Sequence, residues 1–174
     1  QVGENGVELL VIDRDPRVVS GFGGLGVALE PAEESHPARH RELQPVVTAM
    51  PNFGPARFLL GAALLAQGNH EQAESHLSAL VAMTPENVEA RKLLAKARLR
   101  LQRYDAAMQV LTPAMQEDTF DPELSSLLSE AKLQAGAQGE AVAILEQAAL
   151  HDPGNIGIKL DLATAYIVTA RSVE

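Results

Sequence analysis

Glycine spacing near the N-terminus is the first feature of this sequence that could do chemistry. Gly21, Gly23 and Gly26 match the pattern G-x-G-x-x-G, in which a glycine backbone approaches a pyrophosphate at the N-terminus of a helix. That chemistry needs a strand directly before the glycines and an acidic residue about 20 positions after them. The strand-like run 7–12 is separated from the glycines by Asp-Arg-Asp-Pro, and no such unit follows. We therefore expect no cofactor.

Histidine spacing could in principle place two metal ligands on one helix face. The pairs with i, i+4 spacing are His36 with His40 and His70 with Glu74. A zinc site needs three or four converging ligands with supporting partners, so we expect surface histidines and no metal site. No serine stands in a G-x-S-x-G pattern either, which leaves no nucleophile elbow. We expect no catalytic residue, and an enzyme that uses the N-terminal glycines or the histidines is kept as a remote alternative.

Basic residues are concentrated in one short segment of the chain. Six of the fourteen Lys and Arg residues fall between 91 and 103, and four of them follow one another as a single helical stripe. These are Lys92, Lys96, Arg100 and Arg103. The stripe could hold the carboxylates of an acidic peptide, protein or polysaccharide. The alternative is a solvated face on which Lys96 pairs with Glu130, worth at most about 1 kcal/mol per pair.

Overall charge and composition limit the classes of partner. The formal net charge is -9 and the chain has no cysteine. An acidic chain is not expected to bind nucleic acid, because neutralising phosphates requires a basic surface. No apolar run is long enough to span a bilayer, so we expect no direct membrane insertion in this segment. The missing cysteine leaves the compartment open.

A 34-residue period organises the chain and must position the basic stripe. Small residues recur after a leucine at Gly61, Ala95, Ser129 and Ala163. The first three of these residues are each followed, on the second helix, by an alanine and a leucine. The pairs are Ala73 and Leu77, Ala107 and Leu111, and Ala141 and Leu145. Small residues let helix axes approach to roughly 8–10 Å while leucines fill the grooves. The period predicts an all-α solenoid of antiparallel helix hairpins.

Turn residues give the expected bounds of these hairpins. We predict helix pairs near 54–67 with 70–83, 87–101 with 104–117, and 122–136 with 138–151, then a lone helix near 156–171. Gly68 and Gly139 are expected to end first helices in the left-handed conformation. Proline marks the junctions at Pro85, Pro122 and Pro153, either at the first position of a helix or after the end of the preceding one. The expected repeats are 54–87, 88–121 and 122–155, flanked by half repeats 38–53 and 156–171.

The residues of the first repeat resemble the tetratricopeptide repeat consensus. Leu60-Gly61, Leu64, Gly68, Ala73, Leu77 and Pro85 stand at its characteristic positions. Leucine replaces the consensus aromatic residues, and the early Trp is replaced by Arg57, Arg91 and Ser125. The resemblance covers roughly 38–171 and implies a right-handed superhelix that binds protein or peptide partners without catalysis.

The resemblance also implies where a partner would bind, because in that family the first helices line a concave groove. The groove residues expected on this basis are Phe58, Leu65, Lys92, Lys96, Leu99, Arg100, Arg103 and Glu130. Chaperone-binding repeats of the family use Lys and Asn at positions that hold Phe58, Ala62, Leu93, Glu123 and Leu127 here, so that ligand is not expected.

A finer likeness concerns residues 51–77. The sequence of this segment is similar to that of the tetratricopeptide lipoproteins of bacterial exosortase and exopolysaccharide systems. This resemblance implies an exported interaction protein in the periplasm or on the outer membrane. Without that likeness the chain would be placed in the cytoplasm.

Both ends of the sequence depart from the regular array. Residues 1–37 are expected to form an irregular or degenerate segment, and 38–50 to supply a second helix disturbed at Pro45. The last helix exposes apolar residues with no second helix to cover them, so more repeats follow or this face forms a homodimer. The candidate residues for oligomerisation are Leu160, Tyr166 and Ile167.

Overall fold

The computed structural model describes residues 36–116 and 120–171, and it describes the side chains of residues 41–115 and 120–170. Within these ranges the chain forms α-helices and one short 3-10 turn. The helices are α1 His36–Ala49, α2 Gly54–Ala66, α3 His70–Met83, α4 Val88–Arg100, α5 Tyr104–Leu111, α6 Pro122–Gln134, α7 Gln138–His151 and α8 Ile156–Arg171, and the 3-10 turn is Ala114–Gln116. The all-α fold class is confirmed, while the N-terminal glycines and the segment 1–35 lie outside the described residues.

Each helix packs on the next one along the chain, which makes a row of antiparallel hairpins. The pairs are α2 with α3, α4 with α5, and α6 with α7, with bounds close to those expected from the period. Helix α1 occupies the positions of α3 shifted by one 34-residue period, and it packs on α2. Helices α2, α4, α6 and α8 begin at residues 54, 88, 122 and 156, and α1 begins at His36. The division into repeats proposed from the sequence stays a prediction.

Leucines facing one another inside and between hairpins form the core. Leu60, Leu64, Leu77, Leu94, Leu111 and Leu145 are almost completely buried. Among the described glycines, Gly61 lies nearest to a neighbouring side chain, because a Cβ placed on it would lie 2.6 Å from Cγ of Leu77. Leucine thus fills the space that the consensus gives to aromatic rings, and the helices approach because the facing residues are small.

Arginines that replace the early consensus Trp bind the loop before their own helix. Arg57 donates from Nε to the carbonyl of Pro51 at 2.5 Å, and Arg91 donates to the carbonyl of Pro85 at 2.5 Å. Arg91 also donates to the carbonyl of Val110 on α5 at 3.0 Å. A buried aromatic contact is therefore replaced by charge-assisted hydrogen bonds that hold the junction loop.

The turn inside each hairpin has the same backbone geometry. Residues 68, 102 and 136 all have positive φ, at 78°, 58° and 85°. The amide of each of these residues and the amide of the next residue donate to carbonyls of the preceding helix, as in a Schellman motif. Our prediction of Gly139 as the turn residue of the third hairpin was wrong. Gly136 has the left-handed conformation, whereas Gly139 lies inside α7.

Gln102 is the one position in this series without glycine, which yields a prediction. Gln102→Gly should raise the free energy of unfolding by about 0.5–1 kcal/mol, because glycine adopts positive φ without steric cost. Gly136→Ala should lower it by a similar amount. Urea unfolding monitored by circular dichroism checks both, and a destabilised Gln102→Gly protein would contradict the expectation.

Polar side chains cap the N-termini of α4, α6 and α8, and the junction prolines lie next to these caps. Asn87 accepts from the amide of Ala90 at 2.9 Å, Asp121 from that of Leu124 at 3.0 Å, and Asn155 from that of Ile158 at 3.1 Å. Pro122 is the first residue of α6, whereas Pro85 and Pro153 lie in loops after α3 and α7.

Proline explains two local differences from the expected helices. The second helix of the middle hairpin was predicted to run to 117, but α5 ends at Leu111 and gives way to a 3-10 turn. Pro113 causes this break, because it lacks an amide donor and its ring crowds the preceding turn. Pro45 is included in a continuous α1, where its exposed position lets water serve the carbonyl that loses its partner.

Among the described helices, none combines the length and apolar character that crossing a bilayer would require.

Candidate functional site

The first helices of the hairpins form one continuous layer. Helix α2 contacts α4, α4 contacts α6, and α6 contacts α8, in addition to the packing of each on its own second helix. A groove of about 350 Å³ lies across α2, α4 and α6. We call it the leucine groove. It is lined by Leu65, Ala66, His70, Leu93, Lys96, Leu99, Arg100, Leu127 and Glu130.

Four leucines make the apolar part of this groove. Leu99 and Leu127 are 8% and 7% exposed, and Leu65 and Leu93 are half-buried. These side chains come from three consecutive repeats, so the apolar surface exists only because the first helices lie side by side. Such a surface suits a peptide side chain that needs removal from water.

The structure brings five of the eight predicted groove residues together around the leucine groove. These are Leu65, Lys96, Leu99, Arg100 and Glu130. The other three lie elsewhere: Phe58 is half-buried on α2, and Lys92 and Arg103 are turned toward carboxylates outside the groove. The four cations therefore do not form one free stripe.

Lys92 is buried among carboxylates of two repeats. Its side chain is 7% exposed, and Nζ lies 2.6 Å from Glu89, 3.0 Å from Asp121 and 2.9 Å from Glu123. Lys96 also lies 2.5 Å from Glu123, rather than pairing with Glu130. We call these five residues the Lys92 cluster. It ties α4 to the start of α6, and so fixes two walls of the leucine groove relative to each other.

The electrostatics of the Lys92 cluster follow from these contacts. Burial alone would lower the pKa of Lys92, but its hydrogen bonds to Glu89, Glu123 and Asp121 raise that pKa above its usual value. Burial would raise the pKa of Asp121, and the hydrogen bonds from Lys92 and the Leu124 amide outweigh it and lower that pKa. The hydrogen bonds from Lys96 and Lys92 lower the pKa of Glu123. These directions keep Lys92, Asp121 and Glu123 charged at neutral pH.

These shifts predict how stability depends on pH. A carboxylate with a lowered pKa contributes stability that is present above its unfolded pKa of about 4 and is lost as pH falls through the folded value. We compare the chain with its Glu123→Gln variant by thermal unfolding. The wild type should be the more stable protein at pH 6. The difference in unfolding temperature between the two proteins should disappear as pH falls to about 3, because protonated Glu123 resembles Gln. A difference that stays constant over this range would contradict the expected contribution of Glu123.

Arg103 belongs to a second junction, between the first and middle hairpins. Arg98 donates from Nε to Glu74 at 3.0 Å and from Nη1 to the carbonyl of Ala106 at 2.7 Å. Arg103 pairs with the other oxygen of Glu74. The Glu74 side chain is only 14% exposed, so this junction holds α3 against the start of α5 and takes Arg103 away from the groove.

Two charged residues on the groove have no ion pair among the described residues. Arg100 and Glu130 are both exposed and line the groove from α4 and α6. By contrast, Lys96 is already shared with Glu123. The rim of the leucine groove thus offers one cation and one anion to a ligand.

Sequence reasoning missed several residues that line the groove. Leu93 and Leu127 were noticed only as substitutions at chaperone-binding positions, and Ala66 and His70 were not assigned to the groove. A usable signal existed, because Leu59, Leu93 and Leu127 recur with the 34-residue period. Ala66 lies one period before Arg100, so the same signal existed for it. His70 had no such signal, since it begins α3 after the turn that follows α2.

The histidines do not assemble a metal site in the part of the chain that the structure describes. No group of three or more His, Cys, Asp or Glu residues converges there. The Nδ1 atoms of His70 and His76 are buried without a hydrogen-bond partner among the described residues. Burial, with a smaller effect of Arg57, lowers the pKa of His76. The side chains of His36 and His40 lie outside the described residues.

Helix α8 exposes large apolar side chains on one face. Leu160, Tyr166 and Ile167, which we call the α8 face, are 64%, 48% and 54% exposed. Ala163 is also exposed, although its counterpart in the first hairpin, Gly61, is buried against Leu77. Tyr166 donates its hydroxyl to Glu146 at 2.6 Å. By the 34-residue period, Ala163 and Tyr166 correspond to Gly61 and Leu64, which are buried in the first hairpin. Leu160 and Ile167 correspond instead to Lys92 and Leu99 of α4.

Comparison with known proteins agrees with this architecture. Residues 64–131 match the family described as Tetratricopeptide repeat, and no curated protein sequence matches the chain. A crystal structure of MamA matches with a TM-score of 0.71 and 21% identity, over 78% of this chain and 79% of that one.

Two further solved structures show the same fold in other organisms. TTC0263, a thermophilic TPR protein of Thermus thermophilus, has a TM-score of 0.65 and 22% identity over 78% of this chain and 75% of its own. The first TPR domain of human RPAP3 has a TM-score of 0.63 and 18% identity over 70% of this chain and 95% of its own. At such identities the likeness is one of fold. With the family match at residues 64–131 and the row of helical hairpins, the described part of the chain has the tetratricopeptide repeat fold.

Proposed function

We propose that this chain is a non-catalytic interaction scaffold that binds a peptide segment of another protein in the leucine groove. The observation that carries the proposal is the apolar floor that Leu65, Leu93, Leu99 and Leu127 build across three first helices. Leu99 and Leu127 also belong to the core, whereas Leu65 and Leu93 pack against the core and keep part of their surface open to the groove. The tetratricopeptide fold supports a protein partner in general.

The expected affinity is modest. Removing an apolar side chain from water gains about 25 cal/mol per Å², but ordering a flexible peptide and losing its free motion offset much of that gain. A groove of about 350 Å³ holds one or two large side chains. We therefore expect a dissociation constant of about micromolar size for a short peptide.

Blocking the groove sterically tests the proposal. Peptides are selected on the wild-type chain from a random-peptide phage library, and the strongest is measured by isothermal titration calorimetry. Ala66 is exposed and lines the groove, so Ala66→Trp should weaken binding by about tenfold or more. Ser75→Trp adds the same ring at an exposed position of α3 and should leave binding unchanged. If no peptide is enriched, or if both variants bind alike, the groove does not have this role.

A second candidate function is self-association through the α8 face. The exposed Leu160, Tyr166 and Ile167 support it, because large apolar patches on a soluble chain mark interaction sites. Light scattering at high concentration should then show a dimer that Leu160→Glu with Ile167→Glu abolishes. A monomer at all concentrations would remove this candidate.

Export with a bacterial exopolysaccharide system stays a prediction from the wording of residues 51–77. The family match supports a scaffold of this kind but not that pathway.

A further inference from the structure

The charges around the leucine groove restrict which ligand it can accept. The Lys92 cluster contains two lysines and three carboxylates, so it has no positive charge left for a ligand. Adding Arg100 and Glu130 keeps the region slightly negative, within a chain of formal charge -9. A polyacidic ligand would therefore be repelled rather than attracted. The acidic partner expected from the sequence is thus restricted to one that carries few negative charges.

Arg100 is the residue of the groove that could bind a single negative charge of a ligand. It lies beside the groove leucines, is exposed, and has no ion pair among the described residues. An apolar ligand group bound next to it would exclude water, which strengthens a charge-assisted hydrogen bond from the guanidinium. Glu130, on the neighbouring helix of the same groove, would repel a second carboxylate.

We propose that the leucine groove selects a peptide with a bulky aliphatic or aromatic anchor beside one carboxylate, which binds Arg100, and that it rejects polyacidic segments. This inference rests on the proposed groove binding and specifies its partner. The anchor supplies affinity by burial on the four leucines, and the carboxylate fixes the orientation of the peptide.

Charge reversal tests the inference with the peptide selected from the random-peptide phage library. Arg100→Glu should weaken that peptide about fivefold to tenfold, and replacing the carboxylate of the peptide by lysine should restore binding to this variant. Arg41→Glu changes the net charge equally at an exposed position of α1 and should leave affinity unchanged. Polyglutamate, which lacks an apolar anchor, should not compete.

The outcomes separate this inference from the function on which it rests. If Ala66→Trp blocks the peptide but Arg100→Glu has no more effect than Arg41→Glu, the groove binds peptides and the carboxylate preference is wrong. Competition by polyglutamate would also overturn the preference. If Ala66→Trp does not block any selected peptide, both the groove function and the inference fall.

Discussion

Replacing Lys92 by methionine is expected to lower the free energy of unfolding by about 3 kcal/mol. Methionine keeps most of the apolar stem but removes the ammonium that lies within 3.0 Å of Glu89, Asp121 and Glu123. Removing one partner of a buried charge cluster costs about 3–5 kcal/mol when the remaining charges stay buried. We take the lower end because the Glu89 and Glu123 side chains are 64% and 45% exposed. Urea unfolding at pH 7 measures the change.

Lys159→Met is the matched control for this experiment. Lys159 is exposed on α8 and has no ion pair among the described residues, so its replacement should change stability by less than about 0.5 kcal/mol. Equal stability changes for the two variants would show that the Lys92 cluster does not hold α4 and α6 together.

Gly61→Val is expected to lower the free energy of unfolding by about 2–3 kcal/mol. The new Cβ would lie 2.6 Å from Cγ and Cδ2 of Leu77, and Leu77 is fully buried. Overfilling a packed core costs about 1–3 kcal/mol, and the small gain from replacing a helical glycine does not offset it. Thermal and urea unfolding both measure the loss.

Gly139→Ala provides the contrast, because it replaces a helical glycine where no atom lies within 4 Å of the added Cβ. It should stabilise the chain by up to about 1 kcal/mol. If Gly61→Val were as stable as the wild type, α2 and α3 could move apart without loss of stability. The close packing of these two helices would then not explain why a glycine stands at position 61.

Periodicity made most of the fold predictable. A small residue on each first helix and a leucine on each second helix recur every 34 residues, and both are needed only if the helices pack as hairpins. The left-handed turn at Gly68 was predicted from its glycine and not from the period. Applied to Gly68, the period leads to Gln102 and Gly136, the two positions that were missed. The end of α5 at Leu111 was missed because the repeat pattern outweighed the local effect of Pro113.

The sequence indicated which helices line the groove but not how the charges around it are paired. Lys96, Leu99 and Arg100, which the family resemblance suggested as groove residues, line the leucine groove from α4, and their role in binding stays a prediction. Helical spacing could not show that Lys92 is neutralised by Asp121 and Glu123, since those carboxylates belong to the following hairpin and its N-cap. Cross-repeat contacts of this kind depend on side-chain direction, which a linear pattern does not contain.

The departures from the consensus form a consistent set. Leucines in place of aromatics give a core of aliphatic side chains, and Arg57 and Arg91 hold the junction loops that Trp would otherwise cover. Ionic junctions at Lys92 and Glu74 then fix neighbouring hairpins. The orientation of the groove walls therefore depends on charge pairs. High salt should weaken the exposed Lys96–Glu123 pair more than the Arg98–Glu74 pair, whose side chains are 17% and 14% exposed.

Leucine methyl NMR, recorded while the peptide selected from the phage library is titrated into the chain, tests the central claim most directly. Binding in the leucine groove predicts that the methyl signals of Leu65, Leu93, Leu99 and Leu127 shift together and saturate at one dissociation constant. Leu150 and Leu160 are exposed outside the groove and should keep their positions. Shifts confined to Leu150 and Leu160, with the four groove leucines unchanged, would contradict groove binding.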